Sequence, residues 1–475
     1  MVFGIEGRSV VGNLRNVVSW YTLVAGVALL GVCLSTGLVS AQDDTPPTPQ
    51  VPAGAEKPAE APPASNPAPA TAPKAAAVIY AEARITEADI KKWNSTRSLK
   101  FSSAQKSIAP TSAETKELID GANLFVDKMT IPKFRVDLHR YVIEPARRSV
   151  EGQLTLAKPR EILLKAITDR SLELLKATPP HHPDVELGIV ILLSTMNAQV
   201  AGTNTAAVPF TGSAKALITV LEDPRHPLQS RIMAAKGLGR MGLEAVPGIK
   251  GGDLSVVQRG EIATSLAKVL LDVNNSGGTE DGKLWYRWRL AEALGDCGMA
   301  YDLNKGSGYI DVLLAVATNP KENLGVRAVA MRAVTQLAWD AQVNVPLILS
   351  ETLKLQVEIA NQYNAAVMSK KLVSAELHHA NLNLYFAFQP ETAQQVTLMW
   401  GLRYQTKRAG LNQYTPLATS AYDVLLPAVN HIASRPKASQ AALMPPALIA
   451  ALQSWIDANP PQNRKPTAAS PNPLP

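Results

Sequence analysis

Apolar residues along most of the chain recur at intervals of three and four. The clearest case is residues 229–242, QSRIMAAKGLGRMG, in which apolar and small side chains share one side. This spacing is typical of one face of an α-helix, and small side chains on that face let a second helix approach closely. No segment shows sustained alternation of apolar and polar residues, so we expect no sheet. The pattern predicts the all-α fold class.

A recognisable copy of residues 229–242 returns twice further along the chain. The three copies share an apolar anchor residue and an arginine seven positions before it. In chain order these pairs are Leu238 with Arg231, Leu294 with Arg287, and Val334 with Arg327. A helical stretch precedes each copy and ends at Asp or Asn, twice followed by a proline that cannot continue a helix. These first helices span residues 214–222, 261–271 and 309–318. The sequence therefore predicts three helical hairpins.

A helix, an Asp/Asn-Pro turn and an arginine-bearing second helix ending in Leu-Gly together resemble the HEAT repeat in its short bacterial form. The anchors are 56 and 40 residues apart, and repeats of this kind are about 40 to 47 residues long. Residues 274–283, NNSGGTEDGK, are rich in Gly, Asn and Asp, and we expect a loop there that explains the longer interval. The resemblance implies an α-solenoid of HEAT-like helical hairpins.

The resemblance also implies a ladder of hydrogen bonds. In this family an acidic residue near the end of the first helix and an arginine in the second helix link neighbouring units. Asp223 with Arg231 and Asn319 with Arg327 have equal spacing, and Arg287 has the same position in the middle copy. We predict that these five residues form a structural ladder. A direct role of the arginines in ligand binding is the alternative.

Helical spacing continues before the three copies. Residues 159–177 and 183–197 have the layout of a degenerate hairpin, in which Glu186 stands at the arginine position. The preceding stretch, 78–158, is mixed, with a helix expected at 111–129 and Ser112 as its N-cap. This division places the HEAT-like repeats at residues 159–345.

After the last copy we expect a further helical C-terminal region at residues 346–458. Its expected helices span residues 346–388, 392–408, 420–434 and 446–459.

The two ends of the chain differ from its body in composition. Residues 20–39 are uncharged, mostly apolar and of membrane-spanning length, and small residues follow them. We interpret residues 1–41 as a signal peptide or, if uncleaved, a signal anchor. Both interpretations predict export to the periplasm or cell envelope. We expect membrane contact only through this segment, and only if it is uncleaved. Residues 42–77 are rich in Pro and Ala, and 459–475 are Pro-rich; we expect both to be disordered.

Charge and cysteine content narrow the function classes. The net charge of +7 is modest for 475 residues, and without a run of Lys and Arg we expect no nucleic-acid partner. Cys33 belongs to the export segment, which leaves Cys297. Cys297 follows its anchor by three positions, as Met241 and Leu337 do, so we expect a buried, inert thiol instead of a reactive thiol or metal ligand.

Two kinds of motif suggest chemistry but favour a structural interpretation. Residues 237–242 satisfy GxGxxG, yet a helix precedes them where a dinucleotide-binding motif needs a strand. The pairs His181-His182 and His378-His379 lack a further His or Cys at metal-ligand spacing. We therefore predict no catalytic residue, no metal and no cofactor. Missing motifs do not exclude an enzyme, but nothing in the sequence argues for one.

The surface of the second helices is the candidate contact with a partner. Its candidate residues are Lys236, Arg240, Trp285, Arg332 and Gln336. We predict a non-enzymatic protein-binding or scaffolding module of the cell envelope whose partner is another protein. One alternative is an envelope enzyme or lyase-like protein with a pocket outside the recognisable repeats. The other is a structural envelope component.

Overall fold

The computed structural model describes residues 80–152, 154–201, 207–244, 254–272, 278–304, 308–434 and 442–474. The predicted signal segment, the Pro/Ala-rich linker and residues 274–277 of the predicted loop lie outside these ranges. Within them, no helix is both long enough and apolar enough to span a membrane. They all belong to one compact unit.

Short helices form the region before residue 152. In chain order they are α1 (Glu87–Thr96), α2 (Ser98–Ala104), α3 (Ser112–Lys128), α4 (Pro132–Arg135), a π-helix (His139–Ile143) and α5 (Glu144–Glu151). The N-cap of α3 is Thr111, whose hydroxyl accepts a hydrogen bond from Glu114 N at 3.2 Å. The Glu114 carboxylate accepts one from Thr111 N at 2.8 Å. This reciprocal pair forms a capping box, so Ser112 is the first helical residue and not the predicted cap.

Five helical hairpins follow within the described ranges. They are hairpin 1 with α6 (Ala157–Leu175) and α7 (Pro183–Thr195), hairpin 2 with α8 (Ala214–Glu222) and α9 (Leu228–Glu244), hairpin 3 with α10 (Val256–Leu271) and α11 (Glu280–Asp296), hairpin 4 with α12 (Tyr309–Thr318) and α13 (Leu324–Val334), and hairpin 5 with α14 (Val345–Met368) and α15 (Ala375–Phe388). The boundaries of α8 and α12 agree with the prediction. The loop prediction is wrong for residues 280–283, which open α11 behind the N-cap Thr279. Two acidic residues there favour a helix N-terminus.

The C-terminal region contains α16 (Ala393–Thr397), α17 (Leu402–Gln405), a 3-10 turn (Asn412–Tyr414), α18 (Thr415–Ala433) and α19 (Pro446–Ala458). The predicted continuous stretch 346–388 is interrupted between α14 and α15, where Lys370 adopts φ 54° and Ser374 caps α15. Two short antiparallel strands, β1 (Asn197–Gln199) and β2 (Val208–Pro209), precede a 3-10 turn (Thr211–Ser213). The expectation of no sheet is therefore wrong at this one place, while the all-α fold class is confirmed.

The second helices α7, α9, α11, α13 and α15 pack against one another in chain order. One close contact recurs between them: the residue after the anchor of one helix meets the residue before the anchor of the next. An added Cβ at Gly239 would lie 2.8 Å from Ala293 Cα, and one at Gly295 would lie 2.8 Å from Ala333 Cα. Only glycine permits these approaches without displacing the neighbouring helix.

Residues 459–474 differ from their predicted disorder. Thr467 and Ser470 are buried at 2% and 3% exposure, and Val343 forms an antiparallel β-bridge with Thr467. The side chain of Asn344 donates hydrogen bonds to the carbonyls of Asn463 and Lys465 at 3.1 and 2.9 Å. Composition predicts disorder because few large apolar side chains are present, but here backbone hydrogen bonds hold the tail.

Candidate protein-interaction surface

The three repeated arginines support the ends of the preceding helices. Each donates a hydrogen bond to the carbonyl of the penultimate residue of the first helix in its own hairpin. The bonds are Arg231 Nε to Leu221 O at 3.2 Å, Arg287 Nη1 to Leu270 O at 3.0 Å, and Arg327 Nε to Ala317 O at 3.0 Å. The last turn of a helix leaves carbonyls without an intrahelical partner. In three consecutive hairpins the arginines donate hydrogen bonds to such carbonyls.

Two of these arginines also form ion pairs with the following hairpin. Arg287 Nε lies 2.7 Å from Glu322 Oε2, in the turn of hairpin 4, and both side chains are about nine-tenths buried. Arg327 Nη1 lies 2.8 Å from Glu358 Oε2 on α14. Both arginines therefore join the first helix of their own hairpin to the next hairpin.

Hairpins 1 and 2 make the equivalent connection with other chemistry. The guanidinium of Arg231 lies over the ring of Tyr286, 4.8 Å from its centroid. Glu186 Oε2, at the arginine position of hairpin 1, lies 3.1 Å from Nδ1 of His226. His226 and Glu322 both stand twelve residues before their anchors. The same position in hairpins 2 and 4 thus contacts the arginine position of the preceding hairpin, with the acidic side chain on opposite partners in the two cases.

The predicted ladder is wrong in its acidic partners. Asp223 pairs with Arg225, with Nη2 and Oδ2 2.6 Å apart, and this hydrogen bond lowers the pKa of Asp223 to about 2. Asp223 Oδ1 also accepts from Arg225 N, and Asn319 Oδ1 accepts from Lys321 N, both at 3.0 Å. Both side chains therefore close Asx turns within their own connections, which leaves helix carbonyls as the shared acceptors for the arginines.

A row of charged and polar side chains crosses the second helices two residues before and two residues after the anchors. Its members are Lys236, Arg240, Glu292, Asp296, Arg332 and Gln336. The sequence prediction contained four of them and missed Glu292 and Asp296. The anchor alignment contained the information needed to find both, because they occupy the same two offsets in the middle copy.

The structure corrects two residues of the predicted surface. Arg240 is half-buried and donates from Nη1 to Ser194 O at 3.2 Å and from Nη2 to Asn197 Oδ1. Gln336 is only 5% exposed, and its Oε1 lies 2.5 Å from where a Cβ on Gly295 would stand. Both side chains are occupied with neighbouring helices, so neither is available to a partner.

Trp285 is the exposed aromatic residue of this area. Its side chain is 44% exposed and its ring centroid lies 6.0 Å from that of Trp288. The guanidinium of Arg289 lies 5.6 Å from the centre of the Trp285 ring. Trp288 makes an edge contact with His379 at 6.0 Å. One side of the Trp285 side chain therefore packs against the ring of Trp288, while the other side faces solvent.

Ion pairs order the charges beside Trp285. Arg289 pairs with Glu292 one helical turn away. Arg332 is half-buried, with Nη2 3.1 Å from Glu391 Oε1, and its guanidinium lies 5.6 Å from the Phe386 ring centre. These contacts fix side chains that would otherwise be free to rotate, and a fixed side chain loses less entropy when a partner binds.

Two ionisable groups here have shifted pKa values. Burial among the neighbouring helices raises the pKa of Asp296 well above its usual range, and the charge of Glu292 acts in the same direction while Arg332 opposes it. Surrounding protein lowers the pKa of Lys236, with Arg289 adding to the effect. We define the second-helix surface as Lys236, Trp285, Arg289, Glu292, Asp296 and Arg332.

The remaining sequence motifs lie within the packed body. Residues 237–242, the GxGxxG match, fall inside α9, and Gly239 and Gly242 pack against α11. Cys297 is free and fully buried, and burial raises the pKa of its thiol. The glycines and the thiol therefore take part in helix packing.

The two histidine pairs lie apart from the second-helix surface, except for His379 beneath Trp288. His181 and His378 are buried at 3% and 8% exposure. Burial lowers the pKa values of His181, His378 and His379. Across the described part of the chain, no three His, Cys, Asp or Glu side chains are grouped so as to hold a metal ion.

No family model, curated protein or solved structure matches the chain. The HEAT-like resemblance therefore rests on this chain alone. Its basis is the repeated arginine position and the recurring contact between consecutive second helices.

Proposed function

We propose that the chain is a non-enzymatic, HEAT-like α-solenoid that acts as a protein-binding or scaffolding module of the cell envelope. Recurrence of the same contacts supports the solenoid. Arginine reaches the penultimate carbonyl in three hairpins, and glycine permits close approach at the same offset in α9 and α11. Repeat architectures are built from units that contact their neighbours in this regular way.

The partner is another protein, which binds the second-helix surface. The observation that carries this proposal is Trp285, a large aromatic side chain that is 44% exposed among ordered charges. Tryptophan and arginine are enriched among the residues that supply most of the binding energy of protein interfaces. The surrounding charges are of both signs, with Arg289 beside Glu292 and Arg332 beside Glu391, which suits a partner with a complementary mixed pattern.

Placement in the cell envelope rests on residues 1–41 and is part of the same proposal. Cleavage of the segment would leave a native protein that begins at Gln42. N-terminal sequencing of the protein from its own cell, combined with fractionation, tests this directly. Full-length protein recovered from the cytosol would contradict the proposed location.

The enzyme alternative has less support. A groove of 450 Å³ runs between α3 and α6, lined in part by Ile119, Ile162 and Arg170. Its charged groups are engaged with one another or with nearby residues: Lys165 pairs with Asp169 at 2.5 Å, and Arg170 pairs with Asp127 at 2.8 Å. Such pairing fits a structural role better than acid–base chemistry.

The binding proposal is tested by crosslinking in the native envelope with the wild type and a Trp285→Ala variant. Loss of a central tryptophan anchor costs about 2 kcal/mol or more, which is roughly thirtyfold in affinity. We therefore expect partners captured by the wild type to be lost from the variant. Leu99→Ala is the matched control, because Leu99 is 85% exposed on α2. Equal capture by all three proteins would refute binding through this surface.

A further inference from the structure

The C-terminal tail, residues 459–474, is attached to the body as an extended peptide. Asn344 N donates to Pro466 O at 2.8 Å, and Ala468 N donates to Gln342 O at 3.0 Å. Together with the isolated antiparallel bridge between Val343 and Thr467, these bonds pair the tail with the short connection between hairpins 4 and 5. Addition of an extended segment to an existing backbone edge is a known mode of peptide recognition, in which main-chain bonds give affinity.

The body supplies a side chain that recognises the backbone of the tail. Asn344 Nδ2 donates to the carbonyls of Asn463 and Lys465 at 3.1 and 2.9 Å. The side chain of Lys465 itself is exposed. Asn344 Nδ2 also donates to Asn463 Oδ1 at 3.1 Å, and Arg464 Nη1 lies 3.3 Å from Glu351 Oε1. This end of the attachment therefore uses both the backbone and the side chains of the tail, but not the side chain of Lys465.

Selectivity comes from a polar recess that receives two hydroxyl groups. Thr467 and Ser470 are buried, and Ser470 Oγ accepts from Thr467 N at 2.8 Å and lies 2.9 Å from Thr467 Oγ1. Ser470 Oγ donates to Asp311 Oδ1 at the start of α12. The hydroxyl of Tyr301 adjoins Thr467 and donates to Asp340 Oδ1 at 3.0 Å. The recess thus offers one carboxylate, that of Asp311, which accepts a hydrogen bond from its occupant.

The tail is held at separate points, which include Leu474 at 7% exposure, and exposed residues lie between them. A cavity of 380 Å³ lies against it, lined by Gln462 and Asn463 of the tail and by Tyr414 and Leu417 of the body. Residues 462, 463, 465, 468 and 469 are exposed, whereas 466, 467 and 470 are buried. Main-chain hydrogen bonds beside buried side chains are also the means by which a separate extended peptide attaches to a protein.

We propose that the cleft formed by Asn344, Val343, Tyr301 and Asp311 is a binding site for an extended peptide with two hydroxyl side chains three positions apart. The chain's own segment KPTAASP, residues 465–471, is its resident ligand. It is displaced by a second peptide of the same chemistry. This site is separate from the second-helix surface, and its existence does not depend on the function proposed for that surface.

The test begins with the full, folded chain. A recognition sequence for a specific protease is inserted after the exposed Gln462, and the tail is cut after folding. A fluorescent peptide of residues 463–475 is then titrated by anisotropy into cut and uncut protein. A tethered ligand acts at an effective concentration of about millimolar, so we expect saturable binding to the cut protein and at least about tenfold weaker binding to the uncut protein.

Peptide variants test the recess. A peptide with Thr467→Ala and Ser470→Ala loses its buried hydroxyl groups, so we expect binding roughly tenfold weaker or worse. A Lys465→Ala peptide is the matched control and should bind as the parent does, because only the backbone of Lys465 is engaged. In the protein, Asp311→Asn should weaken binding of the parent peptide. Asp457→Asn, on the outer face of α19, should leave this binding unchanged.

Three outcomes would overturn the proposal. In the first, circular dichroism shows that the cut protein unfolds, and the tail is then a core segment. The cut protein stays folded but binds no labelled peptide. Alternatively, the hydroxyl-free and control peptides bind equally, which removes the recess as the basis of recognition.

Discussion

The junction between hairpins 2 and 3 and the junction between hairpins 3 and 4 begin from the same arginine position and end differently. Arg231 lies over Tyr286, whereas Arg287 pairs with Glu322. The position of Glu322 is occupied in hairpin 3 by Gly282, which offers no side chain. The comparison separates two tasks. Support of the preceding helix carbonyl is common to both arginines, and the link to the next hairpin varies.

The two links also differ in what remains when one partner is removed. A buried ion pair contributes little net stability, because desolvation offsets the attraction, but loss of one partner leaves an uncompensated buried charge. Glu322 has a side chain only 9% exposed. At the other junction, removal of Arg231 leaves the ring of Tyr286, which carries no charge. We therefore expect the Arg287 junction to be the more fragile of the two.

The largest expected effect is that of Arg287→Met, which keeps much of the side-chain volume and removes the charge. Breaking a buried pair costs about 3 to 5 kcal/mol, and we expect a loss of that order in the free energy of unfolding measured with urea. The double variant Arg287→Met with Glu322→Gln is the control, since it also neutralises the stranded acid. Recovery of less than about 1 kcal/mol in the double variant would mean that Glu322 is not the source of the cost.

The second-largest effect tests the junction between hairpins 1 and 2, where the acidic residue Glu186 stands at the arginine position and contacts His226. Glu186→Arg sets a cation against His226 in place of the present carboxylate, and loss of the buried contact should cost roughly 1 to 3 kcal/mol. Glu186→Arg with His226→Glu recreates the Arg287–Glu322 arrangement. We expect the pair of changes to recover at least half of the stability lost by the first, measured by urea unfolding. A purely additive double variant would show that the two junctions are not equivalent positions of one repeat.

Residue spacing predicted the hairpins because it records which side of each helix is buried. The boundaries of α8 and α12 follow from proline and Asp or Asn, which act locally. The partners of Arg287 and Arg327 did not follow, since Glu322 and Glu358 come from the next hairpin and depend on how hairpins stack. Asp223 and Asn319 were misassigned for the converse reason: their own turns satisfy them.

The C-terminal tail and the second-helix surface show the same limit of prediction from sequence: contacts with residues far away in the chain. Composition predicted disorder for residues 459–475, but composition does not contain Asn344, whose amide binds the tail backbone from 119 residues away in the chain. Arg240 was assigned to the exposed surface from its helical offset. That offset cannot reveal that Ser194 and Asn197 of hairpin 1 lie within its reach.

A smaller effect concerns the ring at the Arg231 junction. Tyr286→Phe keeps the ring and removes the hydroxyl that donates to Leu221 O at 3.2 Å, a carbonyl to which Arg231 still donates. We expect a loss of about 1 kcal/mol. Tyr286→Leu also removes the aromatic face, and a desolvated cation–π contact is worth about 2 kcal/mol. If thermal or urea unfolding finds Leu no worse than Phe, the contact with Arg231 does not link the hairpins.

The smallest expected effect is a pH dependence of the unfolding free energy that comes from hairpin 1 and not from hairpins 3 and 4. The connection in hairpin 1 buries His181, whose pKa is lowered from 6.5 by burial and by the charge of Arg84, with Asp127 acting in the opposite direction. A histidine with a lowered pKa binds a proton more readily when unfolded, so its contribution to stability is complete above about pH 6.5 and falls as the pH decreases through that value. Removing it by His181→Leu should make the unfolding free energy fall less between about pH 8 and pH 5.5 than in the wild type. His378 and His379 have the same direction of shift, so part of the pH dependence should remain. Identical pH profiles for the variant and the wild type would contradict the burial of His181 as a neutral group.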